Sequence, residues 1–246
     1  MNILITVCGR AGSKGVKNKN LRNFLGEPLV YYTFQAAKLF KEKNSEYNID
    51  ICINSDSDEL LELGNQFGNI ETIKRPSELA TDESAKVPSI RYSLVEMEEK
   101  NNKIYDFIID LDITSPFRKI EDIQNALNKS LENKNIDVVF SVVESRRNPY
   151  FNMIEKKNGK IQKVKEFDYI RRQDAPIVYD MNASIYCYKR NSLLNKIKKS
   201  PLEGENDIIV MQDTLILDID SEHDFQLMEL LGENYLKSCY KNLFKT

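Results

Sequence analysis

Two short stretches near opposite ends of the chain carry the side chains best suited to phosphate chemistry. The first is GRAGSKGVKNKN, residues 9–20, directly after the apolar run ILITVC. Gly9, Gly12 and Gly15 remove side chains where the backbone must bend, while Arg10, Lys14, Lys17 and Lys19, with Arg22 just beyond, concentrate positive charge. No acid interrupts them, and a polyphosphate needs this combination. The spacing is neither that of a Walker A loop, since Lys14 is followed by Gly15, nor the GxGxxG of a dinucleotide site. A glycine-rich turn past the C-terminal end of a strand nonetheless aims backbone N–H groups at phosphate oxygens.

The second stretch, LDID, sets Asp218 and Asp220 two apart. In a strand both would face one side and could share a divalent cation, which removes the cost of placing two carboxylates together. Paired with an anion-binding first loop, they suggest a metal-plus-nucleotide site. His223, the single histidine, falls in the first turn of the last helix and has no assigned role. Between these poles, KRPSELATDESAK (74–86) reads as a polar loop after the third strand. LDITSPFR (111–118) sets Asp112, Thr114, Ser115 and Arg118 at the C-terminal end of the fourth, on the edge that carries the first loop.

The elements that must hold these residues follow from periodicity. Short β-branched runs alternate with longer amphipathic stretches, the pattern of strands joined by crossover helices in a largely parallel sheet. NILITVC is the first strand; the chain turns at Gly26 and enters a helix with Pro28 in its first turn. IDICINS is the second strand, followed by a helix with Asp56 or Ser57 as N-cap and Gly68 as its stop. YDFIIDLDI and IDVVFSVV are further strands, separated by a helix from about Ile120. From Ser145 to Arg172 the alternation gives way to a β excursion turning at Asn158-Gly159, with nine Lys/Arg against three acids. It is either an arm over a partner or the active site, or a solvated hairpin. The sheet resumes at ASIYCYK, and the chain closes with IIVM, the run TLILDID and a helix whose Phe225, Met228 and Leu231 share one face.

Whole-chain numbers agree. At 246 residues and 41% hydrophobic, the chain supports one substantial α/β core. A net charge of −3 argues against a general nucleic-acid binder. Cys8, Cys52, Cys187 and Cys239 form no CxxC pair and read as reduced thiols, three of them in core strands. ILITVC is too short for a signal peptide and nothing approaches a membrane span, so the expected location is the cytoplasm.

Arg10-x-x-Ser13-Lys14-x4-Lys19-Asn20, Arg75-Pro76-x-x-Leu79-Ala80-x-Asp82, Thr114-Ser115-Pro116-x-Arg118, Asn182-Ala183-x-Ile185-Tyr186 and Asp218-x-Asp220 occur in that order. In order and spacing they resemble the CMP-N-acylneuraminate synthetase (cytidylyltransferase) family, over essentially the whole chain. RRNPYFNMIE and YDMNASIY are most similar to the branch that activates legionaminic acid and related bacterial nine-carbon sugar acids. The resemblance implies a three-layer, Rossmann-like nucleotide-diphospho-sugar transferase fold with a mostly parallel sheet. Residues 1–246 would form a single domain and 145–178 a protruding β-rich arm serving dimerisation and the sugar site. It further implies a homodimer that joins CTP to a nine-carbon 2-keto sugar acid, giving CMP-sugar and pyrophosphate with Mg2+ as cofactor, without nucleic acid or membrane partners. Catalysis would fall to Arg10, Lys14, Lys19, Asp218 and Asp220, the last two holding the metal. Arg10, Gly12, Ser13, Lys14, Asn20, Arg75 and Asp82 would bind the nucleotide, and Asp112, Thr114, Ser115, Arg172, Gln173, Asp180 and Asn182 the sugar.

Two positions depart from sialic-acid members: Asp112 stands where they have Gln, and Asp180 where they have Arg. Both changes add acceptors and remove donors where the sugar sits. Alternatives are a synthetase for N-acetylneuraminate or pseudaminate, with 3-deoxy-manno-octulosonate disfavoured by its different opening loop. A non-catalytic nucleotide-binding regulator is the alternative of another class, and retention of Asp218, Asp220 and Lys14 speaks against it.

Overall fold

The alternating strands and helices build one layered α/β unit. The computed structural model describes residues 1–12, 15–166, 171–212 and 217–244. Its strands are β1 (Asn2–Cys8), β2 (Asn23–Phe24), β3 (Glu27–Pro28), β4 (Asn48–Ser55), β5 (Glu71–Lys74), β6 (Phe107–Leu111), β7 (Val138–Glu144), β8 (Ile154–Lys157), β9 (Lys160–Lys163), β10 (Tyr179–Lys189) and β11 (Asn206–Val210). The helices are α1 (Leu29–Lys43), α2 (Asp58–Phe67), α3 (Lys86–Asn101), α4 (Ile120–Glu132), α5 (Arg190–Asn195) and α6 (Glu222–Leu231).

Seven strands pair in the order β11-β7-β10-β6-β1-β4-β5. Strand β10 runs antiparallel to β6 and β7, and every other pairing in this sheet is parallel. The sheet is therefore mostly parallel, as expected. Strand β1 reads as an unbroken apolar run because both its faces are covered. On one side Phe34 and Ala37 of α1, Leu60 of α2, Ile123 and Leu127 of α4 and Phe225 of α6 fill the core. On the other, Val87, Ile90, Leu94 and Met97 of α3 pack with Leu193 of α5. Parallel register brings strand ends to one edge: Cys8 lies opposite Asn54, Ser55 opposite Lys74, and Thr6 opposite Asp110. The loops after β1, β4, β5 and β6 leave from that edge.

Local signals hold where they depend on neighbours in sequence. Ser57 caps α2 by accepting from the Leu60 N–H at 3.2 Å, and Gly68 ends it at φ 81°. Asn158 and Gly159 have φ of 52° and 78° between β8 and β9, the paired left-handed residues of a tight hairpin. Cys8, Cys52 and Cys187 are buried thiols and Cys239 is an exposed one. Among the described residues no helix is long and apolar enough to cross a membrane.

Other expectations shift. Pro28 sits at the N-cap of α1 rather than in its first turn. Strand β10 begins at Tyr179, not Ala183, and a bulge between Met181 and Tyr186 with Ala183 at φ 53° re-aims it. The polar loop of 74–86 contains a 3-10 turn at Ser77–Leu79, and Lys86 already belongs to α3. Leu217 to Asp220 is not a strand; its backbone is tied instead by the Ile219 N–H donating to the Thr114 carbonyl at 3.1 Å. The first part of the TLILDID run lies outside the described residues, as do Ser13, Lys14 and residues 167–170.

Candidate active site

The opening loop is held against the second motif by close backbone packing. A Cβ on Gly15 would stand 1.7 Å from the Asp220 carbonyl oxygen, so only glycine permits this approach. Gly12, at φ 71°, serves the turn itself, and a Cβ there meets nothing within 4 Å. Lys19 donates from Nζ to the Ile219 carbonyl and reaches Asp220 Oδ1 at 3.3 Å. Asn20, buried beside it, donates from Nδ2 to the Arg10 carbonyl at 3.2 Å. The Ala11 N–H donates to Asp56 Oδ1 at 2.8 Å, which ties the loop to the end of β4. Arg10 Nη1 donates to Asp82 Oδ1 at 2.7 Å and to the Thr81 carbonyl at 3.1 Å. Arg10, Gly12, Lys19, Asn20, Asp82 and Asp220 thus gather around one edge.

Asp218 and Asp220 differ in setting. Asp220 is exposed and shares the Lys19 ammonium. Asp218 is half-buried, and its Oδ1, closed off from solvent, meets no hydrogen-bond donor. Burial, then the charge of Asp112, pushes the Asp218 carboxyl up to about 6, against a hydrogen bond from Thr114. A buried carboxylate oxygen without a donor is stabilised by a cation. Among the described residues no cluster of three His, Cys, Asp or Glu forms a closed metal cage. One or two carboxylates with open positions suit a magnesium that also takes phosphate oxygens. The donor set therefore fits the expected metal, although the strand geometry first invoked for it is absent.

Beside Asp218 lies a second charged group. Asp112 Oδ1 accepts from the Thr114 N–H at 3.0 Å and from Thr114 Oγ1 at 2.8 Å, and its Oδ2 pairs with Lys86 Nζ. Lys86 also pairs with buried Asp110 at 2.7 Å, while Thr6 Oγ1 donates to Asp110 at 2.7 Å. Burial alone would raise the Asp112 carboxyl; the Lys86 ammonium and the Thr114 donors hold it at about 2. Both Asp112 oxygens thus have partners within the protein, Oδ1 in Thr114 and Oδ2 in Lys86. Arg118 is fully buried and donates to the Asp112 and Ser115 carbonyls, so it shapes this turn from beneath. Ser115 is buried as well. Arg75 is buried, held by Asn54 through Nε to Oδ1 at 2.6 Å and Nη2 to the carbonyl at 2.9 Å.

The remaining residues expected to bind the sugar lie along β10 and in the segment before it. Gln173 is exposed and, with Glu144, Asn148 and Pro176, lines a cavity of about 500 Å³. Asp180 is half-buried on β10 opposite Val143. Asn182 is buried, accepting from Ser141 Oγ at 2.7 Å and donating to Met211 Sδ at 3.3 Å. Arg172 opens a short 3-10 turn. The Asp112 N–H donates to the Ser184 carbonyl at 3.1 Å, which joins this region to the metal side.

Sequence reasoning missed Lys86, Asp110 and Asp56. A charged residue within a β-run such as FIIDL is the available signal for Asp110. Lys86 carried none, since its partners lie more than twenty positions away.

A sequence model of the family described as Cytidylyltransferase matches residues 4–235. The chain is 41% identical over 233 residues, 93% of itself and 94% of the relative, to the CMP-N,N'-diacetyllegionaminic acid synthase of Campylobacter jejuni. It is 39% identical over 230 residues, 93% of itself and 94% of the relative, to the post-translational flagellin modification protein B of Campylobacter coli. Among solved structures, a CMP:2-keto-3-deoxy-manno-octonic acid synthetase complexed with CTP superposes with a TM-score of 0.68 at 14% identity, covering 96% of this chain and 100% of that one. That likeness concerns fold alone. With the family match spanning nearly every element described above, the chain belongs to the cytidylyltransferase family.

Proposed function

We propose that this cytidylyltransferase activates a nine-carbon 2-keto sugar acid, legionaminic acid or a close relative, with CTP. The C2 hydroxyl oxygen forms a bond to the α-phosphorus, the bond to the β-phosphate bridging oxygen breaks, pyrophosphate leaves and the hydroxyl proton passes to water. The observation that carries this reading is the convergence of the glycine-rich cationic loop on the Ile219–Asp220 segment, through the Gly15 contact and Lys19. Similarity to a CMP-N,N'-diacetyllegionaminic acid synthase supports the choice of acid.

In this reading Arg10 and Lys19 offset charge on the triphosphate, backbone N–H groups of the opening loop orient it, and buried Asn20 holds the loop's shape. Ser13 and Lys14 add donors to the same loop. Asp218 and Asp220 hold magnesium, which when bound supplies Lewis-acid stabilisation of the phosphate oxygens. Arg75 and Asp82 support the nucleotide side. Gln173, Asp180, Arg172 and Asn182 serve the sugar side, with Asp112, Thr114 and Ser115 forming the turn between the two. Because Asp112 is engaged, Asp180 carries the discrimination between an acylamido N–H and the hydroxyls of N-acetylneuraminate. The arm of 145–178 joins two copies into a homodimer, which the exposure of Ile154 (66%), Ile161 (63%) and Ile177 (66%) supports.

The test is CTP-dependent pyrophosphate release across a panel of acids in Mg2+. A 5,7-diacylamido acid is expected to exceed N-acetylneuraminate in kcat/KM by about tenfold, as one buried polar mismatch requires. Equal values, or faster release from UTP or ATP than from CTP, would overturn the reading.

A further inference from the structure

Lys86 stands apart from every motif that marks the site, yet it lies within the site. As the first residue of α3, it projects its ammonium over the C-terminal edge of β6, where it meets Asp110 at 2.7 Å and also Asp112. Asp110 is fully buried and anchored by Thr6, so one side of the ammonium is immobile. An ammonium has three donors; one is given to Asp112 Oδ2, while the contact with Asp110 is an ion pair. The Lys86 side chain keeps 30% of its surface exposed at this edge.

The surrounding charge gives that exposure a use. The Asp112 charge acts on Asp218, and the Asp112 N–H links the turn to Ser184 on β10, the strand that bears Asp180 and Asn182. An anionic co-substrate approaching this edge therefore meets Asp112, Asp218 and Asp220. Lys19, assigned above to the triphosphate, lies against the Ile219 carbonyl and Asp220. An acid needs a cation here, and among the described residues Lys86 pairs with both Asp110 and Asp112.

We propose that Lys86 is a specificity-determining residue for the acid co-substrate, donating its remaining N–H to an acceptor oxygen of that acid. The inference rests on the sugar-acid reading above. Within the Lys86–Asp112 pair the roles divide, with Asp112 aiming the ammonium and the ammonium meeting the ligand.

Steady-state pyrophosphate release is measured for wild type, Lys86→Met and Lys86→Arg, varying a nine-carbon 2-keto acid at saturating CTP and then CTP at saturating acid. Lys86→Met is expected to raise KM for the acid by about tenfold or more while KM for CTP stays within about threefold, as loss of one charged hydrogen bond to a single substrate requires. Unchanged constants, or parallel rises for both substrates, would overturn the proposal, because a merely structural lysine would not separate them. Where removal of the charge beside Asp110 prevents folding, Lys86→Arg decides. It retains both ion pairs but displaces the donor, and is expected to keep the wild-type melting temperature while raising acid KM severalfold; wild-type KM in that variant refutes the role. Absence of acid-dependent release in the wild type refutes the sugar-acid reading and this inference with it. Failure of the variants alone leaves that reading standing.

Discussion

Substituting Gly15 by Ala isolates the contact that joins the two motifs. The new Cβ would lie 1.7 Å from the Asp220 carbonyl oxygen, and the obstacle is backbone rather than a side chain that could rotate away. To reach an ordinary contact of about 3.4 Å, the loop and the 217–220 segment must part by well over about 1 Å. Misplacement by about 1 Å costs on the order of 100-fold in rate, or about 2.7 kcal/mol of transition-state stabilisation. Gly12→Ala supplies the contrast. Its φ of 71° disfavours a side chain by about 1–2 kcal/mol, but no atom stands within 4 Å. The assay is CTP- and acid-dependent pyrophosphate release at saturating Mg2+, with thermal melts of both variants. Gly15→Ala is expected to lose about 100-fold in kcat/KM while remaining folded, and Gly12→Ala to lose stability with less effect on turnover. A Gly15→Ala enzyme within about threefold of wild type would refute the argument that this approach aligns the cationic loop with the metal carboxylates.

Asp218→Asn is expected to lower turnover by about 100-fold or more in Mg2+ without lowering the melting temperature of the metal-free protein, since an oxygen that lacks a donor loses nothing when its charge is removed; full activity would remove the metal site. Asp137 gives a stability dependence on pH: burial raises its carboxyl, but the hydrogen bonds from Ser192, from Lys196 at 2.9 Å and from the Glu205 N–H at 3.0 Å outweigh burial and hold it below the usual range. The stabilisation is therefore present above the unfolded value and lost as pH falls through the lowered folded value, so acid melts of Asp137→Asn should lie flatter than wild type below about pH 4; superimposable slopes would count against it. Ile161→Asp, on the exposed hairpin strand β9, should shift the protein toward monomer in sedimentation velocity at micromolar concentration, and a wild type that sediments as a monomer would exclude the arm as a dimer contact.

What lay open in the sequence was whatever depends on near neighbours. The Ser57 cap, the Gly68 stop and the Asn158-Gly159 turn were legible because each is decided within a few residues. The buried parallel strands announced themselves as apolar runs. Tertiary structure decided who meets whom. The insertion of β10 antiparallel between β6 and β7, the seating of Gly15 on Asp220, and the clasp of Lys86 on Asp110 and Asp112 join residues far apart along the chain. The same packing gave Asp112 its partners Thr114 and Lys86, and turned Arg118 inward beneath it. It also replaced the expected strand at 217–220 with a segment tied to Thr114. A sequence records the type and order of side chains. Which charge faces which, and which oxygen is left without a donor, follows only when distant segments are packed together and water is excluded between them.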